Sequence, residues 1–168
     1  MPKRALSHRL ALRLALAALA LALLAYGVLK QAPSARRRAP TLPAHSLAGD
    51  PVTLAQLRGH ATAVVFFATW CPDCHQEATA VERFARTAAG RGHVIAVDYS
   101  DGGPWRSFLR EYRWSFPVFG DPNGTLGAAF GIEALPTTVI IDPSGRIAQT
   151  TARVQTVASL ASELAAAA

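Results

Sequence analysis

The spacing of apolar residues along the chain predicts alternating strands and helices. Residues 61–68 form a run that is apolar except for Thr62, which is typical of a strand buried on both faces. Apolar residues then recur at helical spacing over residues 74–89, and a second buried strand follows at 94–97. The remaining predicted elements are a helix at 105–112, an extended segment at 116–119, a short helix at 125–130, strands at 137–141 and 146–151, and a closing helix at 154–167.

This order of elements predicts an α/β fold with a mixed central sheet. Alternating strands and helices build the parallel part, and the final hairpin adds antiparallel strands, so helices should cover both faces. Residues 46–58 are predicted to form a short hairpin and a turn of helix before the first central strand. Both cysteines follow that strand directly, at the carboxyl edge where α/β sheets build their sites.

An apolar segment near the N-terminus predicts a single membrane-spanning helix. Residues 10–29 contain Arg13 as their only charge, and a bilayer span needs about 20 apolar residues. No convincing small-x-small cleavage site follows Leu24, because Tyr26, Leu29, Lys30 and Gln31 fill the region, and this favours an uncleaved signal anchor over a signal peptide. Four Lys or Arg residues lie on each side of the uncharged run at residues 14–29, so charge leaves the orientation open. A basic start followed by an apolar run resembles an export signal, which predicts a cytoplasmic N-terminus and an exported domain.

Composition divides the chain into three parts. Residues 1–30 are the predicted anchor or signal, residues 31–41 a flexible Pro/Arg linker, and residues 42–168 the globular domain. Residues 1–38 hold eight basic residues and no acid, whereas the rest holds nine Arg against eleven acids, a net charge of −2. The high isoelectric point therefore belongs to the N-terminal segment, and no nucleic-acid partner is expected.

Cys71 and Cys74 are the only cysteines, and their spacing predicts a redox pair. At a helix start, the first sulfur lies near free backbone N–H groups and the positive end of the helix dipole. These groups favour a thiolate, which makes Cys71 the nucleophile and leaves Cys74 as the resolving thiol. Pro72 suits the first helical position, where its missing N–H costs nothing. No cofactor is expected for this chemistry.

The same motif also occurs in zinc and haem proteins. A structural zinc site needs four ligands, and only His75 and distant histidines could join the two sulfurs. Cys71-x-x-Cys74-His75 also matches the c-type haem attachment pattern, but no second axial ligand is evident. Peroxiredoxins place Thr or Ser three residues before the reactive cysteine, where this chain has Ala68, so peroxidase activity is not expected. His75 is predicted to be an exposed first-turn residue and a bystander, with a slight tuning of Cys71 as the alternative.

Two segments resemble the hallmarks of TlpA/ResA/DsbE-like proteins, which are membrane-anchored thioredoxin-fold thiol–disulfide oxidoreductases. They are the active-site segment, residues 66–74, and the proline loop, residues 134–142; the lead-in at 54–59 adds to a likeness over residues 42–165. The resemblance implies a thioredoxin-like fold and a cis Leu135–Pro136 bond that faces the cysteines. It also implies that substrate contacts Trp70, Pro72, Leu135 and Pro136.

Two further features of the chemistry are the acid that accepts the Cys74 proton and the direction of electron flow. Asp101 occupies the position where ResA-like members carry a buried acid, which implies that it accepts the Cys74 proton. Asp98 is the alternative acid, and a simple turn-forming role for Asp101 stays open. Asp73 lies between the cysteines and disfavours a thiolate, which predicts a reducing pair rather than an oxidase or isomerase.

The resemblance also implies partners and a location. Its members reduce disulfides in exported proteins such as apocytochrome c. Such a reductase receives electrons through a membrane thiol transporter of the CcdA/DsbD kind. The expected location is therefore the cytoplasmic membrane, with the C-terminal domain in the periplasm or outside the cell.

Overall fold

Residues 59–168 contain five strands and four helices. The structure is a computed structural model that describes residues 17–18, 36–43, 45–49 and 59–168. The strands are β1 (Thr62–Phe67), β2 (Val94–Tyr99), β3 (Val118–Asp121), β4 (Thr137–Ile141) and β5 (Ile147–Thr151). The helices are α1 (Pro72–Ala85), α2 (Trp105–Tyr112), α3 (Thr125–Phe130) and α4 (Val157–Ala165).

The strands form one mixed sheet in the order β3–β2–β1–β4–β5. β1, β2 and β3 run parallel, whereas β4 pairs antiparallel with β1 and β5 pairs antiparallel with β4. This arrangement confirms the predicted mixed sheet. Because β1 is the middle strand, its carboxyl end opens at the centre of the sheet edge, directly before the cysteines.

The central strand is buried on both faces. Val65 and Phe67 pack in a core cluster shared with α1, α2 and α4. Val64 and Phe66 point to the opposite cluster, which includes Phe130 of α3. Full burial of one such aromatic side chain contributes about 1.5–3 kcal/mol. The apolar run of the sequence is therefore explained by two separate cores, one on each side of a single strand.

Several element boundaries differ from the predictions. The first helix begins at Pro72 and ends at Ala85, rather than spanning residues 74–89. The Thr87 hydroxyl donates to the Phe84 carbonyl and accepts from the Gly90 N–H, which stops the helical pattern. The closing helix begins later than predicted because Thr156 caps it.

The predicted flexible linker is wrong over its second part. Arg36 forms an ion pair with Asp142 at 3.3 Å, and Arg38 makes an isolated bridge to Arg146. The Arg37 guanidinium donates to the Ala129 and Phe130 carbonyls at the end of α3. Leu42 is buried in the α3-side core. The arginines therefore dock on the domain, because they find free carbonyls and a carboxylate there, and the compact unit begins at residue 36.

Two predicted elements lie outside the described residues. They are the membrane-spanning segment at 10–29, of which only residues 17–18 are described, and the hairpin and turn of helix at 46–58, of which only residues 46–49 are described. Among the residues that the structure describes, no helix has the length and apolar character that a bilayer span requires. The anchor stays a prediction.

Candidate active site

The cysteine pair lies at the junction of β1 and α1. Cys71 is the N-cap of α1 and forms a disulfide with Cys74, with 5.2 Å between their Cα atoms. The Cys74 N–H donates to the Cys71 sulfur at 3.2 Å. The predicted position of the first sulfur at the helix N-terminus is therefore confirmed. After reduction, the same N–H group and the helix dipole favour a Cys71 thiolate.

A cavity of about 360 Å³ opens beside Cys71. Trp70 is 64% exposed at its rim, while Cys71 and Cys74 are only 4% and 1% exposed. The predicted substrate contacts Trp70, Pro72 and Leu135 all line this cavity, and the Leu135–Pro136 bond is cis, as the resemblance implied. The remaining lining residues are Asp73, Tyr99, Glu133 and Ala134. An extended segment lying here would meet the nucleophilic sulfur; substrate binding itself stays a prediction.

Asp101 holds the loop that precedes the cysteines. Its carboxylate accepts from the Thr69 N–H at 2.5 Å and from the Gly103 N–H at 2.7 Å. Burial acts to raise the pKa of Asp101, but hydrogen bonds from Thr69, Gly103 and Asp98 outweigh it and leave this pKa below the ordinary value. Asp101 is therefore an ionised anchor of the active-site loop. Its predicted role as acceptor of the Cys74 proton is not tested by this geometry.

The pKa of Asp98 is shifted upward, in the opposite direction to that of Asp101. Asp98 is buried at the end of β2, and one carboxyl oxygen has no hydrogen-bond partner among the described residues. Burial first, and then the neighbouring charge and hydrogen bond of Asp101, raise the pKa of Asp98 to about 7. The two acids thus form a pair in which Asp101 carries the charge and Asp98 holds a proton at mildly acidic pH.

Glu77 is a buried acid that sequence reasoning missed. It lies three residues after Cys74 on α1, so the two side chains share a helix face. Its carboxylate accepts from the Gln155 N–H at 2.8 Å, and its second oxygen has no partner in the described part of the chain. Burial raises the pKa of Glu77 to about 7. The available signal was a glutamate within the apolar stripe that continues through Ala78 and Val81.

His75 is half-buried, not exposed as the sequence predicted. Its Nδ1 atom lies 2.7 Å from the Tyr112 hydroxyl, and its Nε2 atom lies 2.8 Å from the Thr69 carbonyl oxygen. The ring also packs against Phe108, with 4.9 Å between ring centroids. The prediction failed because α2 folds over the start of α1 and supplies a partner for the imidazole. Within the described ranges, no group of three or more Asp, Glu, His or Cys side chains could hold a metal ion.

Sequence comparison places the chain near known redox proteins. Residues 35–150 match the sequence model of the AhpC/TSA family. The thioredoxin-like protein YneN of Bacillus subtilis is 30% identical over 115 residues, which cover 66% of this chain and 67% of the relative. The thiol-disulfide oxidoreductase ResA of Bacillus thuringiensis subsp. konkukian is 27% identical over 115 residues, which cover 67% of this chain and 66% of the relative. The match thus spans about two thirds of each relative.

Solved structures share the same fold. A thiol:disulfide interchange protein of the thioredoxin family from Chlorobium tepidum TLS superimposes with a TM-score of 0.68 at 27% identity, covering 81% of this chain and 99% of that one. A DsbF homologue from Corynebacterium diphtheriae gives a TM-score of 0.69 at 20% identity, covering 79% and 87% of the two chains. The second likeness concerns the fold alone. Together they confirm the predicted thioredoxin-like architecture.

Proposed function

Because the chain belongs to the AhpC/TSA family and is a thioredoxin-fold thiol–disulfide oxidoreductase of the TlpA/ResA/DsbE-like kind, we propose that it reduces disulfide bonds of exported proteins. One observation carries this proposal. Cys71 lies at the N-terminus of α1 and lines an open cavity beside the exposed Trp70, whereas Cys74, one turn behind it, is not among the residues that line this cavity. A substrate disulfide that enters the cavity would meet the Cys71 sulfur, and the Cys74 sulfur lies behind it as the resolving thiol.

The reaction proceeds by two sulfur exchanges. The Cys71 thiolate attacks one sulfur of the substrate disulfide, the substrate S–S bond breaks, and the departing substrate thiolate takes a proton. The Cys74 thiol then loses its proton and attacks the Cys71 sulfur. The mixed disulfide breaks, the Cys71–Cys74 bond forms, and the second substrate sulfur leaves as a thiolate. Two electrons pass from the protein dithiol to the substrate disulfide.

A nearby acid is needed to accept the Cys74 proton. The family resemblance assigns this role to Asp101, which the structure shows as an ionised anchor of Thr69. Glu77 offers a second candidate, since it shares a helix face with Cys74 and its pKa of about 7 suits proton exchange at neutral pH. We include both acids in the proposal, with Asp98 as the group that shares a proton with Asp101.

The proposed direction of electron flow rests on Asp73. This exposed carboxylate in the first turn of α1 disfavours a neighbouring thiolate, and a less stable thiolate makes the dithiol a better reductant.

Apocytochrome c is one proposed class of substrate. A membrane thiol transporter of the CcdA/DsbD kind is the proposed electron donor, because the oxidised pair must be reduced again after each cycle.

The proposed location is the outer side of the cytoplasmic membrane, with residues 1–30 as an anchor. We expect the full chain in the membrane fraction, with a reporter at its C-terminus accessible to protease in spheroplasts. A matched variant that places two arginines in the apolar segment, Leu19→Arg/Leu21→Arg, should lose membrane association, since each central charge costs about 2.5–3.5 kcal/mol. A reporter protected from protease until the membrane is dissolved would contradict this orientation.

Trapping tests the function itself. In the Cys74→Ala variant of the full chain, reduced Cys71 should form mixed disulfides that persist, because no resolving thiol remains. Non-reducing electrophoresis and mass spectrometry should identify exported proteins that carry a disulfide, and Cys71→Ala should capture none of them. The absence of any Cys71-dependent adduct, or adducts with cytoplasmic proteins alone, would count against a reductase of exported proteins.

A further inference from the structure

We propose that His75 is a positioning residue for Cys71, holding the Thr69 carbonyl so that the nucleophile stays at the N-terminus of α1. The proposal rests on the thiol chemistry of Cys71 and adds a residue that this chemistry depends on. The hydrogen-bond partners of the His75 imidazole are the Tyr112 hydroxyl and the Thr69 carbonyl. His75 acts through the peptide that precedes Trp70 and Cys71.

Both backbone polar groups of Thr69 are hydrogen-bonded to side chains. Asp101 accepts from its N–H at 2.5 Å, and the His75 Nε2 atom lies 2.8 Å from its carbonyl oxygen. Cys71 follows two residues later, where its backbone N–H donates to the Ala68 carbonyl at 3.2 Å. The loop is therefore fixed at the residues that immediately precede the nucleophile, and the sulfur has little freedom to leave the helix N-terminus.

The imidazole is itself held in place by α2. The Tyr112 hydroxyl lies 2.7 Å from Nδ1, and the Phe108 ring packs against the imidazole. A carbonyl oxygen can only accept, so Nε2 must carry a hydrogen and donate it to Thr69. In a neutral imidazole, Nδ1 then accepts from the Tyr112 hydroxyl. The geometry thus assigns the Nε2–H tautomer and links α2 to the active-site loop through one side chain.

Loss of this link should change the reactivity of Cys71. The Cys74 N–H can stabilise a Cys71 thiolate only while the sulfur remains near the helix end, and a looser loop lets the sulfur move away. One hydrogen bond of this kind corresponds to about a 2- to 10-fold effect. His75→Ala should therefore slow alkylation of reduced Cys71 at pH 7 by this factor and move the pH profile of alkylation to higher pH.

The test compares four variants of the full chain by alkylation of Cys71 with iodoacetamide across pH. Besides His75→Ala, His75→Gln keeps an N–H donor for Thr69 and should recover most of the wild-type rate, while Tyr112→Phe should give a smaller loss, about 2-fold. Gln76→Ala removes an exposed neighbour on the same helix and is the matched control, expected to leave the profile unchanged. In the wild type, ¹⁵N NMR at pH 8 should show the Nε2–H tautomer of His75.

The outcomes separate the two levels of the proposal. If wild-type Cys71 reacts no faster than cysteine in an unfolded peptide, the proposed reductase function fails. If wild-type Cys71 is reactive but His75→Ala has the same pH profile, or NMR shows the Nδ1–H tautomer, the positioning role of His75 fails. If His75→Ala does not fold, His75→Gln, Tyr112→Phe and the NMR measurement still decide the question.

Discussion

At the scale of single residues, the unusual groups are carboxyls placed where charge is poorly solvated. Glu77 is 1% exposed and Asp98 is 2% exposed, and burial raises the pKa of each to about 7. An acid whose pKa is raised by folding binds its proton more tightly in the native state than in the unfolded state. It therefore stabilises the fold when protonated, and this contribution is lost as pH rises through the folded-state pKa.

Glu77→Gln should remove one part of this pH dependence. The wild-type free energy of unfolding should fall relative to that of the variant between pH 4.5, the ordinary value for Glu, and pH 7, the raised value. The difference should approach about 3 kcal/mol above pH 7, because one pKa unit corresponds to about 1.4 kcal/mol. Urea unfolding of the oxidised proteins at pH 4.5 and 7.5 measures it.

Glu133 provides the control for the Glu77→Gln measurement. Glu133→Gln changes an exposed carboxylate and should keep the wild-type pH dependence. Asp98 remains in all three proteins, so its own titration cancels in the difference. Equal pH slopes for wild type and Glu77→Gln would show that folding does not raise the pKa of Glu77.

At the scale of elements, the N-terminus of α1 concentrates the chemistry. Cys71 caps the helix, Pro72 opens it, and Asp73 places a negative charge in its first turn. The helix dipole favours a thiolate at Cys71, whereas Asp73 opposes it. The redox potential therefore depends on a balance between the dipole of α1, which favours the Cys71 thiolate, and the charge of Asp73, which disfavours it.

Changing Asp73 should shift that balance. The wild-type potential, measured by equilibration with glutathione, should lie well below the ~−120 mV of DsbA. Asp73→Asn should raise it by about 5–20 mV, since an exposed charge interaction is worth about 0.2–1 kcal/mol and 30 mV corresponds to about 1.4 kcal/mol. Asp73→Glu keeps the charge and is the control. A lower potential in Asp73→Asn would contradict the proposed effect of the carboxylate.

At the scale of the whole molecule, one strand joins two cores. Phe66 and Phe67 are neighbours in β1, both are fully buried, and they point to opposite faces of the sheet. Phe67 contacts Phe108 of α2 and Trp114, whereas Phe66 contacts Phe130 of α3. Because both cores share this strand, the loss of either should weaken the same folding unit.

Phe66→Ala and Phe67→Ala should destabilise the protein to a similar degree. Each leaves a cavity in a closed core, and such changes cost about 3–5 kcal/mol. Urea unfolding followed by tryptophan fluorescence and by circular dichroism should give a single coincident transition for each variant. A second transition in one variant would show that the two faces unfold independently.

The sequence by itself determined the features that depend on local order. The apolar run, the turn residues and the spacing of Cys71 and Cys74 act within one element or between adjacent ones, so periodicity and helix geometry were sufficient to predict them. The mixed sheet, its two covered faces and the sulfur at a helix N-terminus followed from these patterns. The cis Leu135–Pro136 bond followed from family resemblance.

Only the tertiary structure decided which distant groups meet. His75 acquires its role from Tyr112, Glu77 is buried against Gln155, and the predicted linker docks through Arg37 on the end of α3. No local pattern encodes these contacts, because each depends on how one helix packs against another element. Burial then sets the protonation of Glu77 and Asp98, since desolvation is a property of the assembled core and not of the residue.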